Sequence, residues 1–388
     1  MSGSKFHVLR RHNTRTATCA ATALQTRIVT IVLLIAAAPE SSVSLSCLSV
    51  VREAMPRRTG LLTIVAFGAI VLTGCVKDAS RSRAADSTAD VRVSATPGPP
   101  TRVSIAGDSA AVIVAAGDIA CGDDSPSRAA CDHDAVARVI RGIRPDAVLL
   151  LGDIQYENGT RDEFERHFGR SWGAFTSILW PAPGNHEYRT PGAAGYFDYF
   201  NGVGVASGRA GVRGLGYYSL EVGEWHLVAL NSNCDEIGGC YAGSPQERWL
   251  RADLAARRAP CVLAYWHHPR FSSGGHGDDE SVQPLWQALY DHGPAVVLNG
   301  HDHDYERFAR LSPDGRLDDV RGLQQFVVGT GGKEQLVMPR IREHSVVRSS
   351  SSLGVLQLVL HPGRYEWQFL PIVPTTSPVD SGSARCQR

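Results

Sequence analysis

Short apolar runs alternate with amphipathic stretches through the body of the chain. Val112 to Ala116 (VIVAA) and Ala147 to Leu151 (AVLLL) are continuous apolar runs, the pattern of buried strands. Between them, Asp132 to Ile143 places Val136, Val139, Ile140 and Ile143 at helical spacing. A Glu/Arg-rich segment with Phe164, Phe168 and Trp172 predicts a second helix, and Ile178 to Pro183 a third strand. Tyr217 to Glu221 and Trp225 to Asn231 predict a hairpin around Gly223. Ser244 to Arg257 has a helix start: Ser244 as N-cap, Pro245 first, Glu247 three after the cap. Strands follow at Cys261 to Trp266, Val296 to Leu298, Phe326 to Gly329, Val355 to Leu360 and Arg364 to Leu370, with a helix at Ser281 to Tyr290. The order is βαβα first and strand-rich later, so the fold class is α/β.

The first quarter of the chain lacks this pattern. Ile28 to Ala38 is apolar but too short to span a bilayer. Met55-Pro-Arg-Arg, an apolar core from Leu61 to Leu72, and Leu72-Thr-Gly-Cys75 have the order of a secretory signal. The ending resembles a bacterial lipoprotein lipobox, which implies a lipid on Cys75 and an exported product, envelope-anchored or secreted. The expected division is a dispensable extension over 1–54, a signal over 55–75, a flexible Pro/Gly/Ser-rich linker over 76–108, a catalytic domain over 109–372, and a tail over 373–388.

The formal charge of zero hides an asymmetry. Residues 1–75 carry 8 basic and 2 acidic residues, leaving 31 basic against 37 acidic in the remainder. A mildly acidic body argues against general nucleic-acid binding. Beyond Cys75 six cysteines remain, an even number that fits disulfides outside the cytosol. Cys121 with Cys131 and Cys234 with Cys240 would each close a short loop, leaving Cys261 and Cys386 as the remainder.

The candidate chemistry sits at strand ends. Five runs end in Asp, Asn or His: Gly117-Asp118, Gly152-Asp153 with Tyr156, Gly184-Asn185-His186-Glu187, Trp266-His267-His268-Pro269, and Gly300-His301-Asp302-His303. In open α/β sheets ligands bind at the carboxyl ends of strands. Two carboxylates, a phenol, an amide and three imidazoles form a mixed O/N donor set without thiolate, suited to iron, zinc or manganese. The preceding glycines permit close backbone approach.

The five motifs in this order resemble the calcineurin-like metallophosphoesterases, and among them the purple acid phosphatases, over roughly Val112 to Leu370. The resemblance implies a four-layer α/β/β/α sandwich with a dinuclear metal site at the C-terminal strand ends. It assigns Asp118, Tyr156 and His303 to a ferric ion, Asn185, His267 and His301 to a divalent iron, zinc or manganese, and Asp153 to both. Ala120 stands where the broader superfamily has a histidine, and Tyr156 supplies the missing ligand. An anionic phenolate favours a hard trivalent ion.

The function this implies is hydrolysis of phosphate monoesters by a metal-bound hydroxide, in an exported protein. His276 falls near the family's proton-donating histidine. His186 would contact phosphate or the leaving oxygen, with Glu187 orienting its ring. His268 is left between a substrate contact, an outer polar neighbour and a surface histidine. Gly329-Thr-Gly-Gly-Lys333 lacks the full phosphate-loop pattern and predicts a turn near the metal edge. The motifs recognise phosphoryl oxygen rather than the alcohol. A phosphodiesterase acting on nucleotides or lipid head groups therefore stays open, as does a non-catalytic surface binder of the same fold.

Overall fold

A computed structural model describes residues 98, 101–103, 110–123, 131–257, 259–374 and 379–386. The expected extension, signal peptide and Cys75 lie outside them. Among the described residues no helix is long and apolar enough to cross a membrane.

The strands are β1 Thr101–Val103, β2 Ala111–Ala116, β3 Ala147–Leu151, β4 Leu179–Ala182, β5 Ser207–Gly208, β6 Gly211–Val212, β7 Tyr218–Val222, β8 Trp225–Ala229, β9 Cys261–Tyr265, β10 Ala295–Asn299, β11 Tyr305–Leu311, β12 Leu323–Val328, β13 Ser345–Ser349, β14 Gly354–His361, β15 Arg364–Pro371 and β16 Ser381–Arg385. The longer helices are α1 His133–Ile143, α2 Ala194–Phe200, α3 Pro245–Ala256 and α4 Gln283–His292. One sheet has the order β16-β15-β14-β2-β3-β4, the other β1-β7-β8-β9-β10-β12-β11-β13.

The two sheets share a core, and helices cover their outer faces. The eight-stranded sheet shows the two-residue period directly. Leu263, Tyr265, Val296, Leu298, Phe326 and Val328 enter the core shared with the other sheet. Their neighbours Val262, Ala264, Val297 and Val327 pack on the opposite side with Leu250 and Leu254 of α3 and Leu285 and Leu289 of α4. The layers are thus α/β/β/α, as the family resemblance implies. Ser244 caps α3 by accepting from Glu247 N–H, as its sequence predicts.

The Phe164–Trp172 stretch is helical but irregular, with a wide turn at Phe164–Phe168. Its rings pack in one cluster, Phe164 stacking on Tyr199 at 5.1 Å and Phe168 on Trp172 at 6.1 Å. Burying each such ring contributes ~1.5–3 kcal/mol.

The segment expected as a tail is part of the fold. β16 pairs with β15, and Cys386 is bonded to Cys261 at the start of β9. SGSAR carries almost no apolar signal, because an edge strand needs only backbone pairing. Cys121–Cys131 and Cys234–Cys240 are the other two disulfides.

Candidate metal centre

β2, β3 and β4 run parallel in one sheet, and β9 and β10 run parallel in the other. Their carboxyl ends abut. Gly117 N–H donates to Val328 O at 2.9 Å and Gly300 N–H to His267 O at 3.1 Å, locking the loops together. The His301 backbone N–H donates to Asp118 Oδ2 at 2.8 Å, across the two sheets.

The loops are tight enough to strain the backbone. Asp118, Asp153 and His301 have φ of 60°, 46° and 73°, the left-handed region that non-glycine residues avoid. Gly184 is required by space rather than by φ. A Cβ there would overlap Asp153 N and Oδ1.

All seven residues assigned to metal come together. Tyr156 Oη donates to Asp118 Oδ1 at 2.8 Å and lies 3.1 Å from Asp153 Oδ2 and 3.2 Å from His303 Nε2. His267 Nε2 is 3.1 Å from Asn185 Oδ1, 3.4 Å from Asp153 Oδ1 and 3.2 Å from His301 Nδ1. Two imidazoles are oriented from behind: His267 Nδ1–H donates to Leu151 O and His303 Nδ1–H to Glu334 O, each at 2.8 Å. Their Nε2 atoms therefore face inward, as ligating imidazoles held by carbonyls do.

The electrostatics call for positive charge. Asp118 and Asp153 are both buried. Burial raises the Asp118 carboxyl above its ordinary range, against the pull of His267 and His303. Burial also pushes Asp153 up, but the charge and hydrogen bond of His267, with His186, outweigh it and hold it well below the usual range. Burial lowers His267, yet Asp153 drives it up to about 9. Burial and both carboxylates raise the Tyr156 phenol well above its ordinary value, so ionising it needs a strong cation. Burial and His267 depress His301, leaving its lone pair free. A buried set of acceptors this dense fits a pair of metal ions by the chemistry of its donors.

The neighbours divide. His186 lies beside the centre, its ring 4.2 Å from that of Tyr156 and Nε2 3.8 Å from Asp153 Oδ2. Burial lowers its pKa, against Asp153. The His276 ring lies 4.2 Å from the His301 ring, tilted by 36°. Glu187 is not against the His186 ring, contrary to the expected orienting role. Its carboxylate accepts instead from the backbone N–H groups of Ile154, Gln155 and Gly184, at 2.9, 3.2 and 2.7 Å. It ties the β3 and β4 loops together. The His186 ring is held by the Glu157 carbonyl, at 2.7 Å.

Asp302, between the two motif histidines, acts outside the metal-assigned set. Its Oδ1 accepts from His276 N at 2.8 Å and faces Nδ1 at 3.0 Å. That hydrogen bond raises the His276 pKa, against partial burial. The signal in the sequence is an acidic residue inside GHDH together with a histidine in the Ser272–His276 run. His268 also lies inside the cluster, its ring 4.4 Å from that of His301. Lys333 sits at the metal edge as expected of its turn, with Nζ 4.4 Å above the Tyr156 ring and 2.7 Å from Glu157 Oε1.

The pattern of the calcineurin-like phosphoesterases matches residues 111–305, half of the chain. The chain belongs to that family. Family membership implies a dinuclear metal site. Within the calcineurin-like phosphoesterases it is purple acid phosphatase-like. It is 29% identical over 233 residues to purple acid phosphatase 18 of Arabidopsis thaliana, covering 54% of this chain and 50% of that one. It is 29% identical over 229 residues to an uncharacterized protein of Mycobacterium tuberculosis, covering 50% and 43%. Its fold is that of the purple acid phosphatase PPD1 from yellow lupin (Lupinus luteus) seeds, with a TM-score of 0.59 at 19% identity over 72% of this chain and 54% of that one. The chain spans about half the length of the curated relatives it matches.

Proposed function

We propose that this chain hydrolyses phosphate monoesters at a dinuclear centre. One metal would be held by Asp118, Tyr156 and His303, the other by Asn185, His267 and His301, and Asp153 would be shared. The observation that carries the reading is the convergence of these seven donors, with Tyr156 Oη within 3.2 Å of Asp118, Asp153 and His303. A phenolate donor supports a ferric ion in the first position, with divalent iron, zinc or manganese in the second. Bound metals supply Lewis-acid polarisation of the phosphoryl group and acidify water at neutral pH.

The chain's own residues bind and move protons. His276 Nδ1–H donates to Asp302, which leaves Nε2 to give a proton to the departing alkoxide. Asp302 favours the protonated ring, the form a general acid needs. His186 commits Nδ1–H to Glu157 O, so its Nε2 donates to a phosphoryl oxygen only when the ring is protonated. The negative phosphate would favour that form. Glu187 fixes the two loops that carry Asp153 and Asn185.

Export, with a lipid on Cys75, belongs to the same proposal. Three disulfides in the folded body support it. The experiment is hydrolysis of an aryl phosphate monoester and the matching diester by metal-loaded protein. A rate on the monoester that disappears in Asp153→Ala together with the bound metal is the expected result. A preference for the diester would move the assignment to a phosphodiesterase, and metal-loaded protein inert on both would leave a binding protein.

A further inference from the structure

Three imidazoles form a row across the centre, and the metal assignment uses only the middle one. The His301 ring lies 4.4 Å from the His268 ring and 4.2 Å from the His276 ring. His276 has a role as proton donor. His268 has none, although a ring nitrogen of it lies within 4.8 Å of ring nitrogens of both His267 and His301. A polar atom of His268 therefore reaches the spot where the second metal's donors converge.

The ring is held there. Ser232 is buried just beyond the end of β8. Its Oγ accepts from the His268 backbone N–H at 3.0 Å and lies 2.8 Å from His268 Nδ1. A hydroxyl that accepts from the backbone N–H still has its one proton to give to Nδ1. The ring then carries its own proton on Nε2, the nitrogen left to meet a ligand. The Ser232 loop is itself anchored, since Asn231 N–H donates to Gln246 Oε1 at 2.7 Å and Cys234–Cys240 closes the following turn. An N–H donor fixed beside inward-facing lone pairs suits an anionic oxygen rather than a cation.

We propose that His268 is a further catalytic residue, its Nε2–H donating to a phosphoryl oxygen of the bound ester on the Asn185, His267 and His301 side. The inference rests on the phosphoesterase reading and adds a contact to it. Ser232 is the positioning residue that fixes the ring.

The test uses metal-loaded full-length protein and its His268→Ala, His268→Gln and Ser232→Ala variants. The measurements are metal content, kcat and KM on an aryl phosphate, and calorimetric affinity for inorganic phosphate. His268→Ala should keep the wild-type metal content, bind phosphate more weakly and lose roughly 10- to 100-fold in kcat/KM. His268→Gln, whose amide can donate, should recover part of both. Ser232→Ala should show a smaller loss of the same kind. If His268→Ala does not fold, the other two variants decide. Unchanged phosphate affinity and kcat/KM overturn the proposal, and so does loss of a metal equivalent, which would make His268 a ligand. A wild-type protein that hydrolyses no ester overturns the underlying reading instead.

Discussion

Gly184→Ala should separate folding from site assembly. Its φ lies outside the left-handed region, so alanine is not barred by backbone conformation. The added Cβ would overlap Asp153 N and Oδ1 and come 2.9 Å from Asp153 Cγ. Asp153 cannot simply rotate away. Its Oδ1 accepts from His186 N–H at 2.8 Å and faces His267 Nε2 at 3.4 Å. Overpacking of this kind costs ~1–3 kcal/mol. At ~3 °C per kcal/mol for a domain of this size, Tm should fall by roughly 3–9 °C. A carboxylate displaced by about 1 Å should cost on the order of 10²-fold in kcat/KM, with less metal bound. Gly275→Ala is the matched control, in the His276 loop with no atom within 4 Å of the added carbon. The assays are thermal unfolding, metal stoichiometry and aryl phosphate kinetics. Full metal and near wild-type kcat/KM in Gly184→Ala would refute the claim that Asp153 must sit where it does.

Other outcomes follow from the same contacts. His276→Ala should keep its metal and lose ~10²–10⁴-fold in kcat, with the loss greatest for poor leaving groups. Asp302 raises the His276 pKa, and a general acid works only when protonated. Asp302→Asn should therefore move the alkaline limb of the kcat/KM profile to lower pH; an unmoved limb counts against His276 as the acid. His226 is buried between Glu221 Oε1 at 3.0 Å and Asp253 Oδ2 at 2.6 Å, so His226→Ala should cost ~3–5 kcal/mol in denaturant unfolding and spare the activity of folded protein. Replacing both Cys261 and Cys386 with Ser opens a link between residues 125 apart and should cost ~4 kcal/mol by the same assay.

The site was more legible than the fold around it. Each of the seven metal-assigned residues follows a strand that apolar runs mark plainly, and the loops are short, so sequence position and spatial position nearly coincide. Roles that depend on a second loop were less visible. Glu187 is adjacent to His186 in sequence, yet its side chain turns to three backbone amides instead. Asp302 acts on His276 from 26 residues away. Ser232 meets His268 across 36. The missed strands have physical reasons as well. The first half of β12, ahead of the marked Phe326 run, carries Gln324 and Gln325, buried polar residues whose amides donate to the Phe308 and Phe271 carbonyls. β11 carries buried Glu306 on one face and half-buried Arg307 on the other, satisfied by Ser273 and Asp380.

The most direct test of the centre is metal analysis with a visible absorption spectrum on purified protein and on Tyr156→Phe. Two metals per chain, iron among them, and a broad visible band that disappears in Tyr156→Phe are the predicted result. Iron-loaded protein with no such band, or a band that survives Tyr156→Phe, would contradict the assignment of Tyr156 to the ferric ion.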